Sequence, residues 1–185
     1  MIHFIPLIIS LLIWALGELY VYVKLTNKDG QIQDKGSSRA LELGTIIMLS
    51  LSIYFYFWEI GNLNSMFLEY LGIAVTLLGV SFRQYSIYVL GKFFSGYIRV
   101  TTEHTLIQNG PYKYFRHPSY FGSTISYLGI GLTTSNIFSI IVLPLGISIL
   151  YFYRVKVEEE LMLNTFGDQY LTYKSKTWGF LPFIK

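Results

Sequence analysis

Apolar residues run along this chain in blocks too long for the single buried face of a soluble helix, and polar residues gather between the blocks. About 20 helical residues cross a bilayer core. By that measure, the blocks at 4–23, 41–58 and 67–90 each predict one membrane helix. The block at 120–153 is far too long for one crossing and is interrupted by Thr133-Thr134-Ser135-Asn136, a turn signal. It predicts two helices joined as a hairpin, with Pro144 kinking the second arm. Strand-like alternation is weak, and a β-barrel would show repeated segments of about ten residues. The expected fold class is therefore all-α: a polytopic integral membrane protein with five transmembrane helices in a single domain, 1–185. Residues 1–60 supply two N-terminal spans and residues 66–185 a core.

Charge orients this arrangement. The fourteen Lys and Arg residues fall after helix one (Lys24, Lys28, Lys35, Arg39), in and after the end of helix three (Arg83, Lys92, Arg99, Lys113, Arg116), and after helix five (Arg154, Lys156, Lys174, Lys176, Lys185). All lie on one side of a five-span path, whereas the 59–69 loop and the 133–136 turn on the other side carry none. The positive-inside rule then makes the cationic side and the C-terminus cytoplasmic, with the N-terminus outside. Arg83 is the exception in depth. It lies about 10 Å inside the end of a helix running to Leu90, so it must snorkel, pair or line a polar cavity, unless the helix leaves the bilayer near Phe82.

Composition narrows the class further. The chain is 52% hydrophobic and only 14% charged, where a soluble domain has about a quarter of its residues charged. No cysteine is present, which excludes disulfides, thiol nucleophiles and cysteine-based zinc sites. Three scattered histidines (His3, His104, His117) make no metal site, and a net charge of +3 without a basic run excludes nucleic-acid binding. No Lys or Arg precedes the first apolar block, which argues against a cleaved signal peptide. Compact size and the lack of targeting signals favour a prokaryotic plasma membrane.

Small residues at Gly72 and Gly79 in helix three, and at Ser119, Gly122, Ser123 and Ser126 in helix four, predict close helix packing. Candidate chemistry collects on the cytoplasmic side. Asn109-Gly110-Pro111 makes a sharp bend; Arg116 and His117 precede helix four, where Pro118 fits the first turn and amide groups favour an anion. Arg154 and Glu158, four apart at the end of helix five, share one face. Taken singly, each has a plain explanation as an interfacial anchor or a surface ion pair. Their gathering on one side, at the ends of two linked helices, favours a site.

The ordered set His104–Gly122, with its R-H-P-x-Y core, then 154–174 with E-E-x-L and F-G-x-x-Y, then the closing 179–185, resembles the isoprenylcysteine carboxyl methyltransferase family and, more distantly, membrane phospholipid methyltransferases. The resemblance covers roughly the C-terminal half. It implies an S-adenosylmethionine-dependent O-methyltransferase acting on a carboxylate, or another acidic oxygen, of a lipophilic, prenylcysteine-like acceptor among membrane lipids. His104, Thr105, Leu106, Ile107, Tyr112, His117, Pro118, Ser119 and Tyr120 match its cofactor-binding segments. Glu158 matches the acidic residue that contacts the cofactor, and Arg154 the cation that holds the acceptor. Residues 28–38 match less clearly. Two other activities stay open: phospholipid or amine N-methylation, for which Arg154 is a poor neighbour, and an NADPH-dependent membrane reductase, which shares the R-H-P-x-Y string.

Overall fold

A computed structural model describes residues 4–25, 31–100 and 105–184. The described residues form six α-helices: α1 Phe4–Tyr20, α2 Ser37–Phe57, α3 Met66–Leu90, α4 Pro118–Thr133, α5 Ile137–Phe166 and α6 Asp168–Lys176. Helix α1 continues into one π-helical turn, Val21–Leu25. A two-stranded antiparallel ladder, β1 (Gln31–Ile32) with β2 (Arg99–Val100), ties the α1–α2 connection to the α3–α4 connection. The architecture is all-α and polytopic. Among the described residues, four stretches are long and apolar enough to cross a membrane: Phe4–Lys24, Ser37–Phe57, Met66–Phe93 and Ile137–Phe166. Helix α4 has 16 residues, about 24 Å of rise. Side chains such as Leu12, Leu16, Ile46, Ile47, Leu77 and Leu78 are exposed on the outer faces, a surface suited to lipid.

Helices α3 and α4 form the most intimate pair. A Cβ placed on Gly79 would lie 2.4 Å from the Ser126 backbone nitrogen, and one on Gly129 would lie 2.3 Å from that of Thr76. Backbone therefore meets backbone along the seam, as the small-residue pattern predicts, with Gly129 an additional member. Without a hydrophobic drive in lipid, such close approach supplies the dispersion contacts that hold helices together.

Hydrogen bonds fix the remaining pairs. The Ser52 hydroxyl donates to that of Ser139 at 2.8 Å, joining α2 to α5, and the Tyr151 hydroxyl donates to Ser123 at 2.7 Å, joining α5 to α4. Gln84 donates to the Gly17 carbonyl at 2.7 Å, and Arg83 grips Glu18 with Nε and Nη2 at 2.6 and 2.9 Å. The depth of Arg83 is thus accommodated by pairing, inside a helix that runs on to Leu90. Asn136, fully buried, caps α5 by accepting from the Phe138 and Ser139 amides, and its amide donates to the Ile60 carbonyl at 2.7 Å. One residue thereby starts α5 and fastens the α4–α5 turn to the α2–α3 connection. Pro144 lies inside α5, which is assigned as unbroken helix through it.

Candidate active site

The far end of the bundle, where α4 begins and α5 ends, brings the motif residues together. Gly110, at φ 55°, turns the chain into a short 3-10 segment, Gly110–Lys113, that leads up to α4. Tyr173 on α6 secures this segment, donating to the carbonyls of Tyr112 at 2.7 Å and Phe115 at 3.2 Å. Arg116 does not present a free cation to an anion as its position before α4 led us to expect. Its guanidinium donates to Glu159 at 2.7 Å and to the carbonyls of Thr177 at 2.7 Å and Lys174 at 3.2 Å, so it caps the C-terminal end of α6. Glu159 also receives Lys174.

His117 occupies the cap position of α4 and is 8% exposed. Its Nδ1 lies 3.0 Å from Glu158 Oε2, so the α4 entrance and the end of α5 meet in one contact. The other Glu158 oxygen accepts from the Tyr120 hydroxyl, which in turn accepts from Arg154 Nε at 2.8 Å. Histidine, glutamate, tyrosine and arginine form one continuous chain. The Tyr120 ring is stacked between His117 at 5.6 Å and Tyr151 at 4.4 Å. Burial pushes the His117 imidazole toward neutrality, but its contact with Glu158 and the charges of Glu158 and Glu159 outweigh burial and raise it above its ordinary 6.5. Its cationic form is therefore favoured below the ordinary value and lost only as pH rises through the raised one. Burial, first among the causes, also pushes the Tyr112, Tyr170 and Tyr173 phenols up, leaving neutral hydroxyls.

These groups border a cavity with about 880 Å³ of empty space, its mouth included. Thr105, Leu106, Ile107, Tyr112, His117, Ser119 and Tyr120 line one side and Glu158 the other. Pro118 is buried behind the wall and Arg154 stands off it, reaching the site through Tyr120. His104 lies outside the described residues. The candidate residues left out Met162 on α5 and Tyr170 and Tyr173 on α6, which complete the wall together with Phe93, Phe94, Ser95, Tyr97 and Ile98. Tyr170 belongs to the F-G-x-x-Y string, the one signal by which it stood out. Two buried polar atoms on this wall have no hydrogen-bond partner: the Tyr170 hydroxyl and His117 Nε2. The latter sits 3.4 Å from Glu159 without the alignment of a hydrogen bond. Such atoms are costly unless a ligand supplies the partner.

A second, more open recess, with about 810 Å³ of empty space, its open side included, lies among the helices against Trp14, Leu41, Thr45, Ile147 and the Glu18–Arg83 pair. Tyr151 lines it, so the stacked Tyr120 and Tyr151 rings stand between the two spaces.

Comparison with known proteins agrees with this layout. The phospholipid methyltransferase family model matches residues 67–169. A probable protein-S-isoprenylcysteine O-methyltransferase of Oryza sativa subsp. indica is 31% identical over 121 residues, 64% of this chain and 63% of that protein. The protein-S-isoprenylcysteine O-methyltransferase of Tribolium castaneum is 30% identical over 120 residues, 64% of this chain and 43% of that protein. The solved structure of the eukaryotic intramembrane Ras methyltransferase ICMT superposes with a TM-score of 0.67 at 27% identity, covering 75% of this chain and 52% of that one. This chain thus spans less than two thirds of the length of these relatives. With more than half of its residues matched, the chain belongs to the phospholipid methyltransferase family, and the protein-S-isoprenylcysteine O-methyltransferases are among its relatives.

Proposed function

We propose that this protein is an integral-membrane O-methyltransferase that moves a methyl group from S-adenosylmethionine to the carboxylate of a lipophilic, prenylcysteine-like acceptor. The observation that carries the reading is the 3.0 Å contact between His117 and Glu158, which closes one cavity from two distant motifs. The cavity fits the cofactor class. Unpartnered His117 Nε2 and Tyr170 hydroxyl groups offer donors, and the faces of Tyr112 and Tyr120 offer electron-rich surface to a cation. Thr105, Leu106, Ile107, Ser119 and Glu158 complete the set that would hold it. When bound, S-adenosylmethionine supplies an electrophilic methyl group on a sulfonium.

The chain's own task is alignment. An α-carboxylate has an ordinary pKa of about 3.3–3.7 and is ionised at neutral pH, so no general base is needed. Arg154 is the acceptor's clamp, its planar fork suited to a carboxylate. Tyr120 and Glu158 hold the Arg154 Nε, and Tyr120 also connects the clamp to the cofactor wall. The second recess, apolar along Trp14, Leu41 and Ile147, would receive the acceptor's hydrocarbon chain. The aromatic run at Phe93 and Phe94 excludes water from the mouth.

Five spans complete the proposal, with α4 crossing between α3 and α5 as one arm of a hairpin. In support, the chain ends facing the cavity all carry the cations, and the opposite end, where Asn136 meets Ile60, carries none. We place the N-terminus outside and the active site on the cytoplasmic side.

The test is product analysis. Purified protein with methyl-labelled S-adenosylmethionine is given an N-acetylated S-prenylcysteine or phosphatidylethanolamine vesicles. The expected result is a base-labile methyl ester on the prenylcysteine and no label on the amine. Label on the amine alone would overturn the assignment.

A further inference from the structure

Arg154 is 3% exposed, and all three of its guanidinium nitrogens are engaged by the protein itself. Nε meets Tyr120, and Nη2 donates to the Gly96 carbonyl at 2.8 Å. Nη1 reaches Ser38 Oγ at 2.9 Å, Ser37 Oγ at 3.3 Å and Asp34 Oδ1 at 3.4 Å. Both serine hydroxyls donate in turn to that same Asp34 oxygen, at 2.7 and 2.9 Å. A carboxylate with two hydroxyls therefore already covers Nη1, beside the carbonyl that covers Nη2.

The segment that delivers Asp34, residues 33–38, lies across α5. The Gln33 amide donates to the Ile98 carbonyl at 2.8 Å, the Tyr153 hydroxyl to the Lys35 carbonyl at 2.9 Å, and Lys35 pairs with Glu160 at 2.7 Å on the exposed surface. Lys35 and Gly36 are both left-handed, at φ 46° and 79°. A non-glycine residue holds that conformation only when its surroundings impose it. Asp34 also caps α2, but through Oδ2, which accepts from the Ser38 amide at 3.0 Å. Capping leaves unexplained why Oδ1 and both hydroxyls converge on a buried arginine 120 residues away.

We propose that residues 33–38 are a built-in strap whose Asp34 carboxylate sits in the seat of the acceptor carboxylate on Arg154, so that acceptor binding and strap closure exclude one another. The inference rests on the acceptor reading above. The strap has a physical use: Glu158, 3.6 Å from Nε, is the nearest carboxylate left to the buried Arg154 when the strap opens, and Asp34 supplies a second counter-charge at Nη1 until the acceptor arrives. Burial alone would raise the Asp34 carboxyl, but hydrogen bonds from Ser37 and Ser38 and the Arg154 charge hold it below its ordinary 3.8, so it is ionised at neutral pH. The apparent acceptor affinity is then reduced by the fraction of time that the strap is open.

Asp34→Asn keeps an oxygen for the α2 cap and removes the competing charge. Lys35→Glu unfastens the strap at Glu160, away from the cavity and from Arg154. Wild type and both variants are compared for the KM and kcat of an N-acetylated S-prenylcysteine and for S-adenosylhomocysteine affinity. For a strap closed about nine-tenths of the time, both variants lower the acceptor KM by about tenfold, with kcat not reduced and cofactor affinity unchanged. An unchanged KM in Asp34→Asn, or a fall in its kcat, contradicts the strap and makes Asp34 a cap or a positioning residue for Arg154. If all three proteins bind S-adenosylhomocysteine and none takes the prenylcysteine, the acceptor reading itself fails, and the strap fails with it.

Discussion

Arg154→Lys is expected to lower turnover by on the order of 100-fold while leaving S-adenosylhomocysteine affinity unchanged. Lysine keeps the charge but loses the fork that meets Tyr120 with Nε and carries two further nitrogens beyond it. The acceptor oxygen would then be held at one point, and a displacement near 1 Å is enough for a loss of that size. Affinity for the cofactor is spared because Arg154 stands off the cavity wall. Lysine is the better substitution than alanine, since Arg154→Ala leaves the Asp34 carboxylate buried without its cation, a disruption that costs about 3–5 kcal/mol and mixes stability with catalysis. Single-turnover rates with radiolabelled methyl donor, read beside a binding isotherm, separate the two. Wild-type turnover in Arg154→Lys would remove the residue from its proposed role.

Gly79→Val carries the largest expected loss of stability. At this position even a Cβ meets backbone, the Ser126 nitrogen at 2.4 Å and the Gly122 carbonyl oxygen at 2.7 Å. No rotamer change relieves a clash with backbone, so α3 and α4 must separate. Overpacking ordinarily costs about 1–3 kcal/mol, and this site belongs at or above the upper end. Because Arg83, one turn on, also reaches the Ser119 carbonyl at 3.5 Å, separation shifts the cavity wall, and cofactor affinity falls as well. Gly44→Ala is the control. Its Cβ would meet only the flexible end of Leu150, at 2.5 Å, and a small shift of that side chain accommodates it. Thermal unfolding in detergent checks the pair, and equal transitions for Gly79→Val and wild type would contradict the packing account.

Hydropathy made most of the helical layout legible. The break at Thr133–Asn136 falls where α4 ends and α5 begins, and α3 runs within a residue of its predicted bounds. The glycine seam was also legible, because small residues have few other uses at helical spacing in lipid. Helix α6 was not, since Asp168–Lys176 is polar and its buried Tyr170 and Tyr173 acquire meaning only from α5 and the loop before α4. The partner of Arg83 was equally hidden. Glu18 lies 65 residues away, and no periodicity links them. Within the site, Arg154 and Glu158 share a helical face by spacing, but their link to His117 came from the family resemblance, because contacts between distant segments leave no local pattern. Asp34 was passed over for that reason, in a loop that matches the family pattern less clearly.

The account depends on one ligand bridging the α4 entrance and the end of α5. Purified wild type and His117→Ala are therefore titrated with S-adenosylhomocysteine and, separately, with NADPH, following thermal unfolding. At a hundred times its Kd, S-adenosylhomocysteine should stabilise wild type by about 2.7 kcal/mol and His117→Ala by clearly less, with NADPH inert. Stabilisation by NADPH without any response to S-adenosylhomocysteine would contradict it.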